Sequence, residues 1–98
     1  MTFKLSFHSE ARMEARDAML YYRELDPVNA AEFLEIYETA IAQILTTPLA
    51  CAVLVGKVRS KILRKYPYTI FYRFDADEVR IIAVAHQKRR PGYWLNRS

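Results

Sequence analysis

Three adjoining stretches decide the fold: Tyr68-Thr-Ile-Phe-Tyr-Arg-Phe74, the polar break Asp75-Ala-Asp-Glu78, and Val79-Arg-Ile-Ile-Ala-Val-Ala-His86. The flanking runs are rich in β-branched and aromatic residues, which fit a pleated and half-buried surface. Separated by a short polar turn, they read as two antiparallel strands. In the second, Ile81, Ile82, Ala83 and Val84 are apolar without alternation. Both of its faces should therefore be covered, and the strand should be central. Upstream, Val58 to roughly Lys65 reads as a further strand, punctuated by Pro67, so residues 58–86 form a β-meander. Leu49-Ala-Cys-Ala-Val-Leu-Val-Gly56 is apolar but without clear period. It fits a buried connection or an irregular strand, placed against the sheet.

Toward the N-terminus, Phe3, Leu5 and Phe7 alternate with Lys4, Ser6 and His8, the period of a half-buried strand. Ser9 offers a helix N-cap, with Glu10 in the first turn. Ala11, Ala15, Ala18, Tyr22 and Leu25 follow at helical spacing, and the acids and arginines between them are expected on the wet face. The small alanines predict close approach to a neighbouring element. Asp26-Pro27 restarts a helix, with Asp26 as cap and Pro27 in the first helical position. Phe33, Tyr37, Ala40, Ile41 and Ile44 form its apolar stripe, and Thr46-Thr47-Pro48 ends it. So short a link makes the two helices an antiparallel hairpin. The expected order is β-α-α-β-β-β in a single domain over residues 1–98. It is an α+β fold, with an N-terminal helical hairpin packed on one face of a mostly antiparallel four-stranded sheet. The other face should be only partly covered. Arg59, Lys61 and Lys65 alternate, so they are expected to share one face and line a basic concavity with Arg73.

A chain of 98 residues that is 52% apolar and 27% charged builds one core and is not disordered. No apolar run reaches the roughly 20 residues of a membrane helix, and the alternating start does not resemble a signal peptide. The single Cys51 forms no internal disulfide and suggests a reducing cytoplasm. The net charge of +4 conceals a division. Residues 1–56 carry four Lys/Arg against eight Asp/Glu, whereas residues 57–98 carry eleven against three. That asymmetry favours an anionic partner at the C-terminal half, the alternative being a solvated basic face.

The ending, His86-Gln-Lys-Arg-Arg-Pro-Gly-Tyr-Trp-Leu-Asn-Arg-Ser98, sets a histidine and three cations before the only tryptophan. His86, Lys88, Arg89, Arg90, Tyr93 and Trp94 are therefore the candidate partner-binding residues, with packing of Tyr93 and Trp94 onto the sheet as the alternative. Removal of everything after Ala85 is expected to abolish activity. Two glycines in the chain leave no phosphate-cradling loop, and no nucleophile motif or metal-ligand spacing occurs, so no metal or cofactor is expected. His8 and His86 fit structural hydrogen bonding better than acid–base work. A metal-free nuclease would need cations to stabilise a pentacovalent phosphate and a Lys, His or Tyr to move protons. The basic half holds those residue types.

Several segments in order resemble the RelE/ParE toxin superfamily, and its ParE branch most: Val58-Arg59, Leu63-Arg-Lys-Tyr-Pro-Tyr68, Ile70-Phe-Tyr72, Ile81-Ile-Ala-Val-Ala-His86 and Arg90-Pro-Gly-Tyr-Trp94. Tyr21-Tyr22 and Ala40-Ile41…Ile44…Pro48 extend the resemblance over nearly the whole chain. It implies a cytoplasmic toxin of a bacterial type II toxin–antitoxin pair, neutralised by a cognate antitoxin whose flexible segment wraps it. ParE-like members poison DNA gyrase, whereas RelE-like members cut mRNA on the ribosome. RelE-like nucleases usually carry an arginine after the tyrosine that opens the second meander strand, and here Thr69 follows Tyr68. The resemblance thus implies a gyrase inhibitor without chemistry of its own. The alternative is a ribosome-dependent endoribonuclease using Arg59, Lys61, Lys88, Arg89 and Tyr93. A third reading is a regulatory partner that meets operator DNA only through the antitoxin complex. No membrane contact is implied.

Overall fold

The alternating N-terminal residues form strand β1, Lys4–Phe7, in a computed structural model that describes residues 3–97. Helices α1 (Ser9–Leu25) and α2 (Pro27–Thr46) follow, then strands β2 (Val53–Val55), β3 (Val58–Ile62), β4 (Tyr68–Asp75) and β5 (Glu78–His86). His8 rather than Ser9 is the N-cap of α1: its Nδ1 accepts the Glu10 backbone N–H at 3.1 Å. Asp26 ends α1 through its own N–H to Tyr22 and starts α2 through its carboxylate to the Val28 N–H at 2.9 Å. One residue thus caps two helices, and the hairpin has no slack.

The α+β class and the helical hairpin are as expected, but the sheet has five strands, not four. Its order is β1-β5-β4-β3-β2. The additional strand comes from the apolar 49–56 segment, where Val53 pairs with Arg59 and Val55 with Val58. Pairing among β2 to β5 is antiparallel, whereas β1 joins β5 in parallel, from Lys4 opposite Glu78 to Phe7 opposite Ile81. β5 is therefore interior, as its apolar run required, although β4 occupies the centre. β3 stops at Ile62, short of Lys65, and the chain turns back into β4 through residues 63–67, where Lys65 takes a positive φ of 72° and the Tyr66 N–H donates to the Arg64 carbonyl.

Burial follows the pleat. Tyr68, Ile70 and Tyr72 face the helices and are buried, and Phe33, Ile36, Ile41 and Ile44 of α2 pack with them. Each such side chain contributes roughly 1.5–3 kcal/mol by leaving water. The Tyr72 hydroxyl donates to the Pro48 carbonyl at 2.8 Å, which ties the end of α2 to β4. Ala11 and Ala18 are buried on α1, whose small face lets it approach both α2 and β5. The register of β4 against β5 shifts between Phe71 and Tyr72, leaving Ile82 as an extra residue in β5. Ile82 and Ala83 consequently both join the cluster on the far face, with Trp94.

The β4–β5 turn stores strain. Ala76 and Asp77 both have positive φ, 51° and 63°, in a tight link where neither is glycine. Replacing them with the residues that such a turn prefers, Ala76→Asn with Asp77→Gly, should stabilise the protein by about 1 kcal/mol. A urea unfolding midpoint that stays unchanged would contradict this reading of the turn.

Candidate functional site

β1 ends opposite Ile81, so the rest of β5 has no strand along its outer edge. Side chains take over there. The Val84 N–H donates to Glu14 Oε1 at 3.0 Å, and the Ile82 carbonyl accepts from Arg97 Nη1 at 3.1 Å. Glu14 and Arg97 are joined by two contacts of 2.9 Å, a bidentate pair with both side chains only 13% exposed. The Tyr93 hydroxyl donates to Glu14 Oε2 at 2.7 Å. Burial pushes the Glu14 carboxyl up, but Arg97, the Val84 N–H and Tyr93 outweigh it and hold the group below its ordinary value of 4.5. Burial, reinforced by the Glu14 hydrogen bond, pushes the Tyr93 phenol well above its ordinary range. Tyr93 is consequently an anchored donor and a poor general base.

The C-terminal segment is built on this anchor. His86 Nδ1 accepts the Lys88 N–H at 3.0 Å, and the Arg89 N–H returns to the His86 carbonyl, fixing the turn that carries the cations. Both histidines thus accept a backbone N–H through Nδ1. Turns from Arg90 to Tyr93, Gly92 to Leu95 and Trp94 to Arg97 coil the segment back over the sheet. Gly92 has a φ of 76°, and a Cβ there would lie 2.9 Å from the Leu95 side chain. Trp94 stacks on Phe71 at 4.4 Å and is 4% exposed, so its ring seals the far face instead of offering a contact surface. The Arg89 guanidinium lies 3.9 Å above the Tyr93 ring.

Two concavities flank this turn. A groove of about 630 Å³ runs between α1 and the end of β5, lined by Tyr21, Leu25, Tyr68, His86, Lys88 and Arg89, among others. A cleft of about 280 Å³ opens on the far face, lined by Phe71, His86, Arg89, Arg90, Tyr93 and Trp94, among others. His86 and Arg89 form the wall common to both. Lys88, Arg89 and Arg90 are exposed, and Arg89 approaches Glu14 only to 4.0 Å.

The expected partner-binding residues thus come together, whereas the nuclease set does not. Arg59 and Lys61 stand opposite Tyr72 and Ile70, on the helix-facing side. Arg59 donates to the carbonyls of Leu49 and Cys51, and Lys61 lines a separate cavity beside Glu35, Gln43 and Arg64. The basic concavity expected from Arg59, Lys61, Lys65 and Arg73 does not form. Lys65 pairs with Glu32 at 2.7 Å, and Arg73, opposite Val58, points to the other face. On the open face β3 and β4 present Val58, Ser60, Ile62, Thr69 and Phe71, beside Arg73.

Glu14 and Arg97 are the residues that sequence reasoning missed. As an acid among arginines Glu14 reads as a wet-face residue, yet it falls three residues after Ala11 and four before Ala18, on the buried alanine stripe. Deleting everything after Ala85 would remove Trp94 and Arg97 along with the cations, so lost activity would report unfolding as well as lost contact.

A model of the ParE toxin of type II toxin–antitoxin systems (parDE) matches residues 5–91. No curated protein matches the chain. Among solved structures, the chromosomal ParDE toxin–antitoxin system from P. aeruginosa is similar at 17% identity, with a TM-score of 0.74 over 87% of this chain and 96% of that one. The toxin–antitoxin complex RelBE2 from Mycobacterium tuberculosis is similar at 23% identity, with a TM-score of 0.55 over 88% and 99%. At those identities the likeness shows the fold.

Because the folded-state pKa of Glu14 is depressed, its contribution is present above the ordinary carboxylate range and lost as pH falls through the folded value. Wild-type stability should drop from roughly pH 5 downward. Glu14→Gln should be less stable at pH 7 and show a shallower acid slope, and Glu14→Ala should cost about 3 kcal/mol by stranding Arg97. Urea titrations across pH check both; equal acid slopes for wild type and Glu14→Gln would remove Glu14 from the account.

Proposed function

The chain belongs to the ParE toxin family of type II toxin–antitoxin systems, and on that premise we propose that it is a toxin held in check by a cognate antitoxin and acts by binding DNA gyrase. The observation that supports binding over chemistry is the disposition of the cations. Lys88, Arg89 and Arg90 are exposed on a turn that rims two concavities. Arg59 and Lys61 lie elsewhere, Arg59 is occupied by backbone carbonyls, and the Tyr93 phenol is bonded to Glu14. A phosphoryl-transfer site needs its charge-stabilising and proton-moving groups within reach of one phosphate. The far-face cleft gathers His86, Arg89 and Arg90 near Tyr93, but the His86 Nδ1 is taken by the Lys88 N–H and the Tyr93 hydroxyl by Glu14.

A binding surface needs less: exposed charge for encounter, and apolar walls to hold what arrives. The segment from His86 to Tyr93 has both, on a rigid support. Restraint by an antitoxin agrees with the charge division, since an acidic flexible segment meeting the basic half would gain electrostatic attraction and apolar burial together. The P. aeruginosa and M. tuberculosis structures are themselves toxin–antitoxin systems. Neither bears on the cellular target of this chain. The cytoplasm, where gyrase and antitoxin are met, is the compartment this reading requires.

Purified protein should inhibit gyrase supercoiling with accumulation of cleaved DNA. The double variant Lys88→Glu, Arg90→Glu should inhibit at least about tenfold more weakly, equivalent to ~1.4 kcal/mol, with unchanged folding stability. Message cleavage in a translating extract, with supercoiling untouched, would overturn the gyrase reading in favour of a ribosome-dependent endoribonuclease.

A further inference from the structure

Both histidines accept a backbone N–H through Nδ1, and His86 does so where the groove and the far-face cleft meet. An accepting ring nitrogen carries no proton, and a neutral imidazole keeps its proton on the other nitrogen. The bond from the Lys88 N–H at 3.0 Å therefore fixes the tautomer of His86, with Nδ1 bare and Nε2 protonated. The Nε2–H has no acceptor among the described residues, and none of their polar side-chain atoms is both buried and unpaired. That donor is consequently open to solvent. The ring that carries it is held edge-on to Tyr68, with 5.1 Å between centroids, and the His86 carbonyl accepts the Arg89 N–H.

We propose that His86 is a contact residue whose Nε2–H donates to a carboxylate of the target protein. The proposal rests on the gyrase-binding reading and names one bond within it. A carboxylate suits the place because Lys88 and Arg89 line the groove beside His86, and Arg89 and Arg90 line the cleft beside it. Of the acids that line the groove, Glu14 is engaged by Arg97, and Asp17 lies 3.9 Å from Arg16. A protein segment suits it better than a nucleic-acid backbone, because much of the remaining wall is apolar or aromatic. Tyr21, Leu25 and Tyr68 supply it in the groove, Phe71 and Trp94 in the cleft. An acidic residue beside an apolar one meets both kinds of wall, whereas the phosphates of a duplex meet only the cations.

Side-chain length separates the two roles of the ring. In His86→Asn the amide oxygen stands where Nδ1 does and accepts the Lys88 N–H, but no donor reaches as far as Nε2. In His86→Gln the amide nitrogen reaches the Nε2 position, while the turn keeps its backbone bond from the Arg89 N–H to the residue 86 carbonyl.

The full chain and both variants, their folding checked by circular dichroism, are compared in gyrase supercoiling. His86→Asn should inhibit at least about tenfold more weakly than the wild type, the loss of one donor to a charged acceptor. His86→Gln should be the stronger of the two variants. If His86→Asn inhibits as well as the wild type or as His86→Gln, the ring only holds the turn and the contact is overturned. A wild-type protein that leaves supercoiling untouched overturns the gyrase reading and this contact with it, so the two failures are told apart. Nitrogen-15 shifts that place the proton on Nδ1 of His86 would overturn the proposal without reference to gyrase. Duplex DNA alone is the last arm: if it binds the chain in fluorescence anisotropy with the same order of variants, the acceptor is a phosphate and the carboxylate assignment is overturned.

Discussion

A carboxylate taken out of water at a helix–sheet junction is tolerable only when its charge and lone pairs are met, since the desolvation cost otherwise runs to several kcal/mol. Glu14 is in that position, and the C-terminal segment is organised around satisfying it. Arg97 supplies the opposing charge, Tyr93 a hydroxyl, and Val84 a backbone N–H. Those contacts fix the course of residues 93–97, which drives Trp94 onto Phe71 and leaves the turn at 86–90 projecting between groove and cleft. The same pair completes the hydrogen bonding of β5 where β1 has run out. One ion pair therefore closes a sheet edge, pins a tail and aims the exposed cations.

Much of this fold was legible because periodicity and punctuation agree. Alternation marked β1 and β4, the continuous apolar run of β5 announced cover on both faces, and Asp26-Pro27 announced two helices in direct succession. The segment 49–56 was ambiguous because a three-residue edge strand has too few positions to display a period, and its side chains lie on the surface. The parallel pairing of β1 with β5 was hidden for another reason. It joins positions some seventy residues apart, and nothing in either strand's own pattern names its neighbour.

The site was legible in part. The cation–aromatic ending named residues that the structure gathers around one turn, but composition could not separate Trp94, which packs, from Lys88 and Arg90, which face solvent. Strand alternation placed Arg59 and Lys61 on one face correctly. Which face that was depended on cross-strand register, and register set both beside the buried Ile70 and Tyr72. Glu14 escaped notice because an acid among arginines on a helix is usually solvated. Only its spacing from Ala11 and Ala18 marked it otherwise.

The connection of β1 and α1 to the far end of the chain also governs when the molecule can come into being. Glu14 and Arg97 are 83 positions apart, and β1 has no strand to lie against until β5 exists. During synthesis the helical hairpin can form early from local contacts. The sheet it must cover is completed only once β5 and Arg97 have emerged. The cation-bearing turn therefore gains its anchor only after Arg97 is available to Glu14. Until then the growing chain has the cations without the bond that holds their turn in place, and a chain cut short before Arg97 never acquires it.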